Sequence, residues 1–404
     1  MPKGKLFCVK CKKEYPIDSW QPRCETCDEP LEVGYKRLQA SKQTLKKKAN
    51  SLLEKYKEFL PFTTYSPSIS LGEGNTPLIR STKVSQEIGL THLFFKNETV
   101  NPTWTFKDRG TVCGLQHALS LGYKRIGTVS SGNMAASVSA FGAKSGVEAF
   151  IFLKGNTPKE KINPVAIYHP KIFLVQGYYG DVYGKTLEFG KKYGIYFISS
   201  DVPFRVEGSK TIGFEICEQL NFDAPDYVAV SIGSGGNFRG ILKGFEEFYR
   251  VGFIKKIPKM IGVQSVGNYP LVKAFEAGRD TFEENTDALT LDHVLENPAP
   301  PSGNQVLRKI RENGGTLVVV SNEEVKEAQV LMGKDGLFVQ PASSTTLAGI
   351  KKLAKTGYLK PTDKVVFVIT GTGLKYTPIL DEYDFPVRNT QVEELEKSLV
   401  EALG

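Results

Sequence analysis

A lysine stands at position 107 in the stretch Asn101–Gly110, which has the sequence N-P-T-W-T-F-K-D-R-G. Pro102 favours an extended loop, and the apolar spacing from Phe106 onward predicts a helix. Lys107 is therefore expected at a helix start, where unpaired N–H groups and the helix dipole disfavour another positive charge. We expect a lowered pKa for this amine, which would make it a nucleophile toward a carbonyl group. A solvated surface lysine is the alternative, and only the neighbouring motifs favour the first interpretation.

A glycine turn joins the predicted strand Val228–Ile232 to a predicted helix. The turn has the sequence G-S-G-G-N and comprises Gly233, Ser234, Gly235, Gly236 and Asn237. Backbone N–H groups that converge in such a turn, together with the helix dipole, suit a phosphate group. The loop is neither a dinucleotide-binding fingerprint nor a P-loop. A tight structural turn remains the alternative.

Two further strand ends carry polar groups. The predicted strand Arg125–Val129 ends in S-S-G-N-M, where Ser131 could bind a carboxylate and the Asn133 amide could bond a phenolic oxygen. The last predicted strand ends at Thr370, whose hydroxyl could meet a ring nitrogen. Helix capping is the alternative at each position. An amine nucleophile, a phosphate site, an amide, a carboxylate site and a hydroxyl are together what pyridoxal phosphate and an amino acid require.

Four cysteines form two pairs near the N-terminus. C-V-K-C and C-E-T-C are separated by twelve residues, which is typical of two loops that close on one tetrahedral zinc ion. The expected ligands are Cys8, Cys11, Cys24 and Cys27. Four thiolates leave the metal no open position, so we expect a structural zinc. Cys113 and Cys217 fall on apolar helical faces and are expected to be buried thiols.

Length and charge limit the possible classes. A chain of 404 residues exceeds the usual size of a single core, so we expect two or more domains. The opening residues lack the apolar segment of a signal peptide, and no apolar run is long enough to cross a bilayer. We therefore expect a cytoplasmic protein without a membrane partner. The basic segment Lys42–Lys48 could bind RNA, but we favour a solvated helix face, and the net charge of +8 also suits a small anionic substrate.

Strand and helix patterns alternate along most of the chain, which predicts an α/β fold with two open, twisted, mostly parallel sheets. We expect a zinc ribbon at residues 1–35 and a helical linker at 36–70, with one polar helix over about 40–59. A large domain would comprise 71–95 and 206–385, a small domain 96–205, and a C-terminal helix 386–404. Residues 285–304 show no periodicity and are expected to form a long loop.

The core from Leu71 to Lys375 resembles the tryptophan-synthase-β-like family of pyridoxal phosphate enzymes, also called fold type II, and within it the threonine synthases. Six motifs carry the resemblance: G-E-G-N-T-P-L at Gly72, N-P-T-x-x-F-K-D-R-G at Asn101, S-G-N at Ser131, R-V-E-G-x-K-T at Arg205, P-A-S at Pro341 and T-G-x-G-L-K at Thr370. A zinc-ribbon leader also occurs in archaeal-type members.

The resemblance implies a role for each candidate residue. Lys107 would form the Schiff base with the cofactor and then move protons. Asn133 would bond the cofactor's O3′, residues 233–237 would bind its phosphate, and Thr370 would face its ring nitrogen. The implied substrate-binding residues are Ser131 for the carboxylate, Lys96 and Thr103 nearby, and Ser200 and Arg205 for the substrate phosphate. The implied reaction converts O-phosphohomoserine and water to threonine and phosphate, in a homodimer.

The chain departs from the threonine synthase pattern at several positions, among them Met134, Val202, Trp104 and Gln340. Met134 and Val202 replace polar residues expected near the substrate phosphate. These departures leave open a β-replacement enzyme acting on O-phosphoserine or a related serine ester, similar to cysteate synthase, and a threonine or serine dehydratase. A noncatalytic ligand sensor or an RNA-binding protein is the alternative from another class, although we do not expect nucleic acid as a partner.

Overall fold

The computed structural model of the chain describes residues 4–130, 132–176, 180–285, 295, 297–375 and 377–403. Thirteen strands lie in these ranges: β1 (Lys5–Cys8), β2 (Glu14–Tyr15), β3 (Leu31–Gly34), β4 (Leu78–Arg80), β5 (His92–Asn97), β6 (Arg125–Val129), β7 (Glu148–Lys154), β8 (Lys171–Val175), β9 (Tyr196–Phe197), β10 (Tyr227–Ser231), β11 (Lys259–Ser265), β12 (Thr316–Val320) and β13 (Lys364–Ile369).

Fourteen α-helices accompany the strands in the same ranges: α1 (Lys42–Leu45), α2 (Leu52–Lys55), α3 (Lys83–Ile88), α4 (Lys107–Ser120), α5 (Asn133–Ser145), α6 (Lys159–Ala166), α7 (Gly180–Tyr193), α8 (Pro203–Gln219), α9 (Gly236–Arg250), α10 (Pro270–Glu276), α11 (Gly303–Asn313), α12 (Asn322–Lys334), α13 (Pro341–Lys355) and α14 (Leu395–Leu403). None of them is both long enough and apolar enough to cross a membrane.

The strands form three sheets. The N-terminal one is antiparallel, in the order β2-β1-β3. A six-stranded sheet has the order β12-β11-β10-β13-β5-β4 and is parallel except for its edge strand β4. A four-stranded parallel sheet has the order β8-β7-β6-β9. The predicted α/β fold with mostly parallel sheets is confirmed, although β4 and the N-terminal strands were not predicted.

Strand β13 shows why the apolar runs form central strands. Val366 and Val368 belong to one hydrophobic core, while Val365, Phe367 and Ile369 belong to a second core. Because successive side chains point to opposite faces, a strand covered on both faces must be apolar at every position. The same requirement explains the buried run Val228–Ser231 in β10.

The predicted polar helix over residues 40–59 is wrong. The structure has two four-residue helices there, α1 and α2, each begun by a serine whose hydroxyl accepts a backbone N–H. Leu52, Tyr56 and Phe59 are buried in the main core. The segment therefore packs against the core through apolar side chains. Its many lysines made it read as a polar helix in the sequence.

The predicted division into domains remains a prediction. Its boundary between residues 95 and 96 falls inside β5, which runs from His92 to Asn97. Ten of the twenty residues of the predicted loop over 285–304 lie outside the described residues, and its last two, Gly303 and Asn304, begin α11. The predicted C-terminal helix corresponds to a short 3-10 turn at Val392–Glu394 followed by α14, in which no residue is buried.

A buried ionic network fixes helix α4 in place. The Arg109 guanidinium donates to both carboxylate oxygens of Glu98, at 2.6 and 2.8 Å, and to both of Glu215, at 2.7 Å each. Glu215 also accepts the Lys96 amine at 2.7 Å and the Thr76 backbone N–H at 3.2 Å. The network thereby joins α4, α8, strand β5 and the loop before β4.

We expect Arg109→Met to lower the free energy of unfolding by about 3–5 kcal/mol, because it leaves two buried carboxylates without their main counter-charge. Urea unfolding followed by circular dichroism measures this. Arg125→Met is the control, since Arg125 is paired with Glu148 at the surface, where both side chains are about half exposed, and little change in the midpoint is expected. Equal effects of the two substitutions would contradict the assigned role of the network.

Candidate active site

The carboxyl ends of β10 and β13 meet the N-termini of α4, α9 and α13 in one cleft. Its empty space, including the open solvent at its mouth, is about 520 Å³. Most of the predicted site residues line it together: Lys107, Ser200, Arg205, Gly233, Ser234, Gly235, Gly236, Asn237 and Thr370. These residues come from five separate segments of the chain, so the cleft exists only in the folded state.

Lys107 is the first residue of α4, as predicted, and its amine lies 4.2 Å from the Phe106 ring centroid. Burial in the cleft lowers the pKa of Lys107 well below its usual value, and the nearby charges of Arg205 and Lys375 lower it further. The lowered pKa agrees in direction with the sequence prediction. Its largest cause is burial, whereas the sequence prediction rested on the helix dipole. Among the described residues no carboxylate pairs with this amine. An unpaired amine with a lowered pKa is suited to react as a nucleophile.

The glycine turn at residues 233–237 leads into α9 and packs tightly on a neighbouring segment. A Cβ atom on Gly236 would lie 2.4 Å from the Ser200 carbonyl oxygen, so only glycine fits there. The Asn237 side-chain amide is buried, and neither its nitrogen nor its oxygen has a partner among the described residues. Because buried amides are normally hydrogen-bonded, this one is suited to a polar ligand in the cleft.

A chain of side-chain hydrogen bonds links Asn133, which does not itself line the cleft, to Gln340 and Thr370, which do. Asn133 donates to the Gln340 carbonyl oxygen at 2.9 Å, and the Gln340 amide nitrogen donates to the Thr370 hydroxyl at 2.9 Å. The Ser343 hydroxyl lies 3.1 Å from that of Thr370 and accepts the Thr370 backbone N–H. Gln340 was not predicted as a site residue. Its sequence signal is its position directly before Pro341, at the start of α13.

Arg205 and Ser200 line the cleft together with the glycine turn. Arg205 stands in the first turn of α8 and is 6% exposed. Burial lowers the pKa of Arg205 to about 10, while Asp201 raises it. Among the described residues this guanidinium has no hydrogen-bond partner, although it lines the cleft. A charged fork without a partner beside a serine is suited to a phosphate or carboxylate ligand.

The structure does not bring Lys96 or Thr103 to the cleft. The Lys96 amine is fully buried and bonds the Thr76 carbonyl oxygen, Glu215 and Gln219 at 2.7, 2.7 and 2.9 Å. The Thr103 hydroxyl donates to Asp108 at 2.6 Å. These bonds occupy both groups, so neither enters the substrate site proposed below. Ser131 lies outside the described residues.

Lys375 is a candidate that sequence reasoning missed, although it ends the motif at Thr370. Its amine donates to the Thr103 carbonyl oxygen at 2.8 Å. Burial lowers the pKa of Lys375 to about 8, against an opposing effect of Asp108. Lys375 therefore stabilises the loop before Lys107 and adds positive charge next to that amine.

The four paired cysteines form a candidate metal centre at the other end of the chain. The sulfur atoms of Cys8, Cys11, Cys24 and Cys27 all lie within 4.8 Å of one another. The two pairs come from the turn after β1 and the turn before β3. Four thiols gathered in this way match the ligand set of a tetrahedral zinc site. Cys113 and Cys217 are buried in the core, as predicted.

Two curated relatives match the chain over most of its length. A protein named threonine synthase from Methanocaldococcus jannaschii is 37% identical over 374 residues, covering 91% of this chain and 92% of that protein. The threonine synthase of Methanosarcina acetivorans is 35% identical over 376 residues, covering 92% of each chain.

Solved structures support the same fold. Maize serine racemase superposes with a TM-score of 0.64 at 20% identity, covering 82% of this chain and 93% of that one. The model of the family described as pyridoxal-phosphate dependent enzyme matches residues 69–371, a span that contains every residue of the cleft. The chain therefore belongs to the family of pyridoxal-phosphate dependent enzymes.

Proposed function

We propose that the chain is a threonine synthase, which converts O-phosphohomoserine and water to threonine and inorganic phosphate. The observation that carries the proposal is the match to two proteins of that name over more than nine-tenths of each chain. The other candidates were a serine-ester β-replacement enzyme and a threonine or serine dehydratase. Solved structures such as a threonine deaminase and an O-ureido-L-serine synthase share the fold at only 21% and 17% identity, so they do not favour these alternatives.

The residues of the cleft fit pyridoxal phosphate. The unpaired Lys107 amine would hold the aldehyde carbon as a Schiff base, and the unpartnered Asn237 amide with the glycine turn would bind the phosphate. Asn133 would bond the O3′ oxygen and Thr370 would face the ring nitrogen. When bound, the cofactor withdraws the electron pair left behind as the Cα–H bond breaks.

Lys107 is the group that we propose to move protons during turnover. A primary amine whose pKa lies well below its usual value is neutral often enough to accept the proton from Cα. The ammonium so formed can return a proton to carbon later in the turnover. A proton also leaves the β-carbon, and the bond from the γ-carbon to the phosphate oxygen breaks with its electron pair going to the phosphate. The γ-carbon takes up a proton to become the methyl group of threonine. Water then adds its hydroxyl at the β-carbon, and its remaining proton goes to the released phosphate.

Ser200 and Arg205 are the proposed ligands of the substrate phosphate, and Ser131 is proposed for its carboxylate. Of the departures from the threonine synthase pattern named above, Gln340 lines the cleft and the other three do not. Trp104 is 56% exposed, while Met134 and Val202 are buried, and none of these three side chains lines the cleft. A phosphate ester therefore meets neither an indole nor a thioether where Arg205 stands.

A substrate panel tests the proposed function. Purified enzyme is given O-phosphohomoserine alone, or O-phosphoserine with sulfite or sulfide, and the phosphate released and the amino acid formed are measured. We expect threonine from O-phosphohomoserine and no replacement product from O-phosphoserine. Lys107→Ala should remove both the turnover and the visible absorbance of lysine-bound cofactor. A wild-type enzyme that forms no threonine would refute the proposal.

Gln340 generates a second prediction. Gln340→Leu breaks the bonds to Asn133 and Thr370 together, so we expect the dissociation constant for pyridoxal phosphate to rise about tenfold. Absorbance titration of the apoenzyme measures it. Gln329→Leu is the control, because Gln329 is also buried and bonds a backbone carbonyl, that of Val339, but lies outside the cleft. Cofactor affinity that is equally weakened in both variants would mean that the effect is general destabilisation.

We also propose that the four cysteines bind one structural Zn²⁺. The surrounding strands are anchored to the body of the protein, since Glu29 pairs with Arg308 at 2.8 Å and the Val33 carbonyl accepts the Lys243 amine at 2.6 Å. The small ribbon sheet has few apolar residues of its own, so a metal suits it as a staple. We further propose that the protein is a homodimer and that it is cytoplasmic. Light scattering after gel filtration tests the oligomeric state.

Metal removal should destabilise the whole chain. We expect one zinc ion per chain. We also expect chelation or Cys27→Ser to lower the thermal midpoint by about 5 °C or more, because a ribbon without its metal no longer holds in place the residues that contact the rest of the protein. Metal analysis and thermal unfolding measure these quantities. Chelator should have no further effect on the Cys27→Ser protein. A metal-free wild type with an unchanged midpoint would contradict the structural role.

A further inference from the structure

Arg23 connects the ribbon to the segment that carries Ser200. Its guanidinium donates to the Asp201 carboxylate at 2.7 Å. The Asp201 side chain is fully buried, and the Tyr183 hydroxyl lies 2.6 and 2.7 Å from its two oxygens. Among the described residues no other cation forms an ion pair with Asp201. The ribbon thus supplies the counter-charge of a carboxylate that belongs to the body of the protein.

Asp201 lies in the chain between two residues that line the cleft, Ser200 and Arg205. It follows Ser200, whose carbonyl oxygen packs against Gly236 of the glycine turn, and it precedes α8, which bears Arg205 in its first turn. An unneutralised carboxylate here would repel an incoming phosphate and would compete for the Arg205 guanidinium. Both effects are strong in a buried setting, because solvent screening is weak there.

We propose that Arg23 is a positioning residue of the substrate-phosphate site: by pairing with Asp201, it leaves the Arg205 fork free for the phosphate of the substrate. The inference rests on the proposed function and extends it, because it makes the ribbon part of the substrate site. Arg23 itself touches neither substrate nor cofactor. It acts through the charge and the position of Asp201.

The ribbon determines where this guanidinium lies. Arg23 pairs with Pro30 in an isolated bridge, and the adjacent Pro22 carbonyl accepts the Leu31 backbone N–H at 2.9 Å. A second bond, from its Nε to Asp28 at 2.8 Å, orients the plane of the guanidinium. A ribbon that is disordered would therefore withdraw the partner of Asp201 even if the cleft stayed folded.

Three variants of the holoenzyme test the inference: Arg23→Gln, Asp201→Asn and the double variant. Inorganic phosphate binding is measured by calorimetry, and KM and kcat are measured with O-phosphohomoserine. We expect Arg23→Gln to weaken phosphate binding and to raise KM about tenfold, with kcat within about twofold. The double variant should recover affinity to within about threefold of the wild type, because no unpaired charge remains.

Lys13→Gln is the matched control, since Lys13 is an exposed ribbon cation that pairs with Glu25 at 3.0 Å, and it should change neither quantity. Phosphate affinity and KM within about twofold of the wild type in Arg23→Gln would overturn the inference. A double variant no better than Arg23→Gln would also overturn it, by showing a merely structural role. Circular dichroism and zinc content establish that the variants are folded.

If Arg23→Gln does not fold, Asp201→Asn decides the matter, because it should bind phosphate at least as tightly as the wild type. Weaker binding in Asp201→Asn would then reject the inference. Failure of the proposed function is a separate outcome. A wild type that releases no phosphate from O-phosphohomoserine would refute that function, while phosphate calorimetry would still report on Arg23.

Discussion

The cleft depends on one buried constraint, the crossing of α4 and α8. A Cβ atom on Gly208 would lie 1.9 Å from the Arg109 carbonyl oxygen, so the two helices touch at their backbones. The Arg109 side chain forms bidentate ion pairs with Glu98 and Glu215. Lys107 is the first residue of α4, and Arg205 lies in the first turn of α8. Their separation is therefore fixed by a glycine contact and an ionic network, neither of which touches a ligand.

The charges around the cleft are arranged so that its cations lack partners while its carboxylates have them. Asp108, next to Lys107, accepts hydrogen bonds from Thr103 and Ser137, and burial raises its pKa. Asp201, near Arg205, is held by Arg23 and Tyr183. Lys107 and Arg205 keep no such partner among the described residues. An enzyme that must bind a doubly charged phosphate ester beside a phosphorylated cofactor needs this separation of paired and unpaired charge.

The sequence was informative where a requirement is local. Continuous apolar runs predicted the central strands, and the spacing of four cysteines predicted their cluster, because each pattern is read within a few residues. It was misleading where the partner is distant. The family resemblance implies that Lys96 lies near the substrate, but in the fold its amine pairs with Glu215, which lies 119 residues away in the chain. For the same reason Gln340 could not be recognised, since its role depends on Asn133 and Thr370 arriving at its two ends.

The ribbon illustrates how a peripheral module becomes part of a site. The Leu31 carbonyl, in β3, accepts a hydrogen bond from Arg239 of α9, and Arg239 also donates to the Ser302 hydroxyl at 2.9 Å. Ser302 in turn donates its N–H to the carbonyl of Ser234 in the glycine turn. A path of direct hydrogen bonds therefore joins the ribbon to the glycine turn, separate from the path through Arg23. One path ends on Ser234, which lines the cleft, and the other ends on Asp201, which directly follows the cleft residue Ser200. The ribbon is therefore coupled to the cleft through hydrogen bonds, although none of its described residues lines it.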